Sequence, residues 1–143
     1  DRNMTIVELV ELAVRQGGLT FDLARQEPVS WNGLPEHCVV GQGGQTLVET
    51  AGLEVCLKSL AAAQSGCIRS NTFGLWRRPD GLWELEPVEL LNGRQVACLM
   101  ARRLNQFSVW DLGQGREVLA LDVREFTSQQ ERDELWQEWR NRQ

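Results

Sequence analysis

Apolar residues recur at helical spacing over residues 5–16, where Ile6, Val10, Ala13 and Val14 form a stripe that Leu9 and Leu12 widen. Thr5 is placed to cap the start of this helix and Gly17 to supply its left-handed stop. Directly afterwards Leu19, Phe21 and Leu23 alternate with Thr20 and Asp22, the period of a half-buried strand. A second strand is expected over residues 37–40, after the turn-forming W-N-G-L-P. Leu53, Cys56, Leu57, Leu60 and Ala61 then share one side of a helix over residues 50–64. Residues 46–49 fit either a short strand or the approach to that helix.

The block from residue 71 to residue 121 carries the clearest turn chemistry and alternation. Phe73 and Leu75 share a strand face, Trp83, Leu85 and Pro87 share a face of the next strand, and R-R-P-D-G between them predicts a type I turn closed by Gly81 at positive φ. A helix follows over residues 92–104, with Val96, Leu99, Met100 and Leu104 inward, Arg94, Arg102 and Arg103 outward, and Asn92 as its cap. Phe107 and Val109 alternate with Ser108 and Trp110 in a fifth strand, L-G-Q-G turns the chain, and a sixth strand lies at residues 118–121. The last helix opens with Thr127 and Gln130 at capping-box spacing and has Leu135, Trp136 and Trp139 as its apolar anchors. The order α-β-β-α-β-β-α-β-β-α predicts an α+β fold: one mainly antiparallel sheet of about six strands with about four helices, packed mainly on one face.

Length adds a domain count. At 143 residues, 42% hydrophobic and 24% charged, the chain fits one domain with one core. Asp1, Arg2 and Asn3 read as an appended remnant before a natural start at Met4, so that domain is expected over residues 4–143. A net charge of −5 argues against a partner bound by phosphate neutralisation, so nucleic acid is not the expected ligand, whereas a basic protein partner remains open. Glu8 and Glu11 interrupt the first apolar stretch, as neither a signal-peptide core nor a membrane helix would allow. A cytoplasmic protein with reduced thiols is therefore expected, with no membrane association.

Candidate chemistry changes this picture little. Cys38, Cys56, Cys67 and Cys98 contain no C-x-x-C pair and have a single histidine to assist them, so neither a metal nor a cofactor is expected. His37 beside Cys38 suggests a thiol hydrolase, but neighbours on a strand point to opposite faces, which would leave His37 to serve Cys56, Cys67 or Cys98. Cys67, next to Gly66, is then the best-placed nucleophile. Asp80, Glu84 and Glu86 in P-D-G-L-W-E-L-E resemble the carboxylates of a P-D…E-x-K metal nuclease, with Glu86 where that motif needs lysine; a turn followed by an exposed strand face explains them more simply. G-Q-G-G at residues 41–44 lacks the lysine and hydroxyl of a phosphate-binding loop and reads as a flexible connection.

Two binding surfaces are expected. Trp76, Arg77 and Arg78, with Trp83 nearby, form an aromatic and basic hairpin tip, and Trp136 and Trp139, three residues apart on the last helix, either dock it onto its own sheet or form a dimer or partner interface.

G-G-L-T-F-D-L at residues 17–23 and N-Q-F-S-V-W-D-L-G-Q-G-R-E-V at residues 105–118 resemble segments of small proteins encoded by phages and other mobile elements. In those, G-G-x-T-x-D starts the sheet and N-Q-x-x-x-x-D-L makes a turn near its end. The tyrosine they often carry after the first hairpin is absent here, with His37 and Cys38 near that place. The resemblance implies a mobile-element accessory protein without assigned catalysis, and no functional residue carries over. The expected function is thus a non-enzymatic interaction or modulator protein, with a small cysteine hydrolase or metal-dependent nuclease as the alternative.

Overall fold

A computed structural model of the chain describes residues 4–64 and 72–143. Among the described residues it is an α+β fold with four α-helices and nine strands whose pairings are antiparallel. Contacts group the chain into two compact units interleaved in sequence, one from Asp1–Val29 with Gly44–Val88, the other from Ser30–Gly43 with Glu89–Gln143.

The first unit opens with α1 (Ile6–Gln16). Its capping box is complete: Glu8 N–H donates to Thr5 Oγ1 at 3.1 Å and Thr5 N–H donates to Glu8 Oε1 at 2.9 Å. Gly17 takes the left-handed stop at φ 80°. Strands β1 (Gly18–Asp22) and β2 (Glu27–Pro28) follow, and from the second unit comes β3 (Glu36–Gly41). The first unit then resumes with β4 (Thr46–Val48), a 3-10 turn (Thr50–Gly52), α2 (Leu53–Gln64), β5 (Thr72–Arg77) and β6 (Trp83–Asn92), whose last four residues belong to the second unit. Its strands run in the order β2-β1-β5-β6, with β4 also on β6. The predicted hairpin turn forms as expected: Gly81 N–H donates to Arg78 O at 3.0 Å and Gly81 has φ 89°.

Leu19, Phe21, Phe73, Leu75, Trp83 and Leu85 bury one face of these strands against Leu9 of α1 and Leu53 and Leu57 of α2. The opposite face departs from simple alternation. Glu86 is buried and Pro87 exposed, the reverse of the expected arrangement, because Glu86 lies opposite Gly74 in the register and shares its face with Val88 and Trp76. There the Trp76 indole lies over two glycines: a Cβ at Gly18 would come within 2.6 Å of Trp76 Cε3, and one at Gly74 within 2.7 Å of Trp76 Nε1. Gly18→Ala is expected to cost about 1–3 kcal/mol through overpacking. In a Trp76→Ala background most of that cost should vanish, which a double-mutant cycle by urea unfolding measures.

In the second unit α3 (Arg94–Arg103) lies against β3 and against β7 (Ser108–Asp111), and β8 (Arg116–Leu119), β9 (Arg124–Glu125) and α4 (Gln129–Asn141) complete it. The strand order is β6-β3-β7-β8-β9. Helix α3 is rolled relative to the predicted stripe: Ala97, Cys98 and Ala101 are buried, whereas Val96 and Leu99 are 51% and 44% exposed. Small side chains let the helix axis approach the strands closely, and that outweighs the larger apolar residues a quarter-turn away. The cap is Gly93 rather than Asn92, and α4 is capped by Ser128, which accepts from Glu131 N–H, one residue later than predicted. Adjacent residues of β8 face opposite ways, Val118 into the α3 core and Leu119 into the cluster under α4, so this unit carries helices on both faces rather than mainly on one. The three strands beyond the expected six, β2, β4 and β9, are only two or three residues long, too short to show a period. No helix among the described residues is long and apolar enough to cross a membrane.

Candidate functional site

Among the described residues, a polar cluster lies in the second unit where β3 meets β7. Cys38 and Asp111 are directly opposed in that antiparallel pair and share a face, and both are almost fully buried. Asp111 also begins the turn to β8: its backbone carbonyl accepts from Gly115 N–H at 2.8 Å and its Oδ1 accepts from Gln114 N–H at 3.0 Å. One residue before Cys38, at the start of β3, the His37 carbonyl accepts from Leu112 N–H at 2.7 Å. Its imidazole bends over this strand end, bringing Nδ1 to 3.0 Å from Asp111 Oδ1 and 3.6 Å from Cys38 Sγ. The strict alternation that would separate His37 from Cys38 therefore fails here. Alternation governs the Cβ direction, and at a strand end a ring two bonds further out reaches the neighbouring face.

From the other side, Arg94 at the first position of α3 donates Nε–H to Asp111 Oδ2 at 2.7 Å and an Nη2–H to Glu125 Oε2 at 2.9 Å. Burial by itself would raise the Asp111 pKa. The Arg94 bond, the Gln114 N–H, the His37 bond and the Arg94 charge together outweigh it and hold the carboxyl below its ordinary value. The Cys38 thiol moves the other way, pushed up to about 11 by burial first and by the Asp111 charge second, with Arg94 opposing. At neutral pH Cys38 is therefore a protonated thiol closed off from solvent, which does not favour nucleophilic attack. Cys56 is half-buried and its thiol is likewise raised by burial, while Cys67 lies outside the described residues.

Among the described residues, His37, Cys38 and Asp111 form the cluster whose nitrogen, sulfur and oxygen atoms could hold a metal ion, all within 4.8 Å of one another. Asp80, Glu84 and Glu86 do not cluster in this way. Asp80 is tied to Arg78 at 2.7 Å, Glu84 lies 3.8 Å from the same guanidinium, and Glu86 is buried.

The hairpin-tip residues do not share one surface. Trp76 is half-buried over the two glycines, Arg77 is exposed on the opposite face with its guanidinium 5.7 Å from the Trp83 ring centre, and Arg78 is only 6% exposed because it folds back onto its own turn. Trp136 is buried with Phe107 and Leu119, and half-buried Trp139 sits with its ring centre 5.7 Å from that of Phe107. Arg132 reinforces the docking of α4 by donating to both carboxylate oxygens of Glu117, at 3.0 and 3.1 Å.

Sequence reading missed Asp111, Arg94 and Glu125, which converge from three elements; the available signals were an aspartate opening the D-L-G-Q-G turn and an arginine immediately after a helix-starting glycine. Trp31 and Leu34, which the turn-forming W-N-G-L-P places in a loop, are 47% and 55% exposed. Their loop is internally braced: Trp31 Nε1–H donates to Leu34 O at 2.9 Å, Leu34 N–H donates to Asn32 Oδ1 at 3.2 Å, and the Trp31 ring meets His37 edge-on at 6.3 Å. A scan against family models and searches of curated proteins and solved structures found no match to the chain.

Proposed function

We propose that the chain is a non-enzymatic interaction protein, an accessory or modulator of the kind phages and mobile elements encode, and that it engages a partner protein through the loop carrying Trp31 and Leu34. The observation that carries this reading is an exposed tryptophan and leucine held in a loop fixed by its own hydrogen bonds. A braced aromatic side chain loses little conformational freedom on binding, and tryptophan is enriched among residues that dominate interface energies. Exposed Glu36 beside the loop and the net charge of −5 fit a partner whose apolar pocket has a basic rim. The phage-like segments at residues 17–23 and 105–118 support the accessory role.

A stoichiometric partner is expected to co-purify with the tagged chain from its native cells and to weaken by at least about 2 kcal/mol, roughly 30-fold, in Trp31→Ala. Val55→Ser, a change at a still more exposed apolar residue on α2, should leave capture intact. Capture that survives Trp31→Ala would move the interface elsewhere, and the absence of any stoichiometric partner would remove the reading altogether.

A further inference from the structure

We infer that His37 Nδ1, Cys38 Sγ and an Asp111 carboxylate oxygen form a binding site for a zinc-class divalent metal ion. The geometry comes first. With metal–sulfur and metal–nitrogen bonds of about 2.3 and 2.05 Å, a tetrahedral site has an S···N edge of about 3.6 Å and an N···O edge of about 3.3 Å. The Cys38 Sγ to His37 Nδ1 distance is 3.6 Å, and His37 Nδ1 to Asp111 Oδ1 is 3.0 Å, the shorter separation expected while a hydrogen bond joins those two atoms. The third edge, Cys38 Sγ to the Asp111 carboxylate, lies within 4.8 Å, against about 3.6 Å around a bound ion, so binding draws the thiolate and the carboxylate together while His37 already stands at bonding distance from both.

The donor types select the ion. A thiolate and an imidazole disfavour magnesium and calcium, which take oxygen ligands, and suit zinc or cobalt; one carboxylate completes three protein ligands and leaves the fourth position to water. The surroundings supply what such a site needs. Arg94 bonds the other oxygen of Asp111, the outer contact that orients a ligating carboxylate, and the His37 backbone is fixed by Leu112. Charge closes as well: with Cys38 ionised, the anions Cys38, Asp111 and Glu125 balance a divalent ion together with Arg94. No side chain reaches the Nδ1–Oδ1 pair from Gly113, where a Cβ would stand 3.4 Å from Oδ1 and 3.5 Å from Nδ1. The His37 side chain is 27% exposed and offers the way in from solvent.

Binding balances simply. The metal forms bonds to sulfur, nitrogen and oxygen; the thiol proton leaves to solvent, and a neutral imidazole carries its proton on Nε2 instead of Nδ1. No electron is exchanged.

The test is titration of the whole chain with Co²⁺ under a non-thiol reductant, following ligand-field absorption and the thiolate-to-cobalt charge-transfer band. The band should saturate at one equivalent, persist in Cys56→Ser and in Cys67→Ser, and vanish in Cys38→Ser. His37→Gln, at a partly exposed position, should bind at least about tenfold more weakly and lose the upward shift in melting temperature that Zn²⁺ gives the unaltered chain. Absence of the band, saturation only at large excess, persistence in Cys38→Ser, or unchanged affinity in His37→Gln would each overturn the site. If Cys38→Ser fails to fold, the His37→Gln affinity and the two other cysteine variants decide the question.

Discussion

Replacing Asp111 with alanine is expected to destabilise the unit that contains it by about 3–5 kcal/mol, because it strips a charged partner from a largely buried guanidinium. Asp111 is 1% exposed and receives Arg94, His37 and the Gln114 N–H at once. Its loss leaves three donors without an acceptor and Arg94 with only the more exposed Glu125. Against a total stability of about 5–15 kcal/mol, this is enough to unfold a marginal unit. Asp111→Asn keeps the shape and some hydrogen bonding and should cost less. Urea unfolding followed by far-ultraviolet circular dichroism measures both, and a loss under about 1 kcal/mol in the alanine variant would show that the cluster contributes little.

The same residue fixes a pH dependence. Its folded pKa lies below its unfolded value of about 3.9, so the unfolded chain binds the proton more readily. Its stabilisation is therefore complete above that unfolded value and is lost as pH falls through the lower folded one. Accordingly, the gap in stability between the native chain and Asp111→Asn should be constant near neutral pH and shrink below about pH 4.

The second large effect is expected at Trp83. This indole is fully buried between the strands and helices of the first unit, donates Nε1–H to Thr50 Oγ1 at 2.9 Å, and lies under the Arg77 guanidinium. Trp83→Ala should cost about 3–5 kcal/mol, from lost burial and the cavity left behind. Trp83→Phe retains most of the ring volume and should lose chiefly the hydrogen bond, about 1 kcal/mol, with some added looseness. Thermal unfolding by circular dichroism separates the two, and near-equal losses would mean that the Thr50 bond rather than the packing dominates.

The two residues differ in how far they could be anticipated. Trp83 stands at the end of a P-D-G turn in an alternating strand, so its inward orientation followed from local pattern. Asp111 sits 74 residues from His37 and 17 from Arg94, and no local rule joins a strand-end carboxylate to a helix-start arginine and a distant histidine. The C-terminal helix falls between these cases. Its tryptophans were legible as anchors, but only packing with Phe107 and Leu119 settled that they anchor it within its own unit.

What the sequence determined by itself was everything carried by neighbours in the chain: the α+β order, the Thr5 cap of α1, the left-handed glycines at 17 and 81, and the hairpin between β5 and β6. These are set by backbone sterics and by hydrogen bonds spanning three or four residues. Tertiary structure alone decided the roll of α3, the burial of Glu86, and the convergence of His37, Cys38, Asp111 and Arg94. Each depends on which side chains meet across non-local pairings, where close approach by small residues and charge compensation outweigh the apolar period visible along the chain.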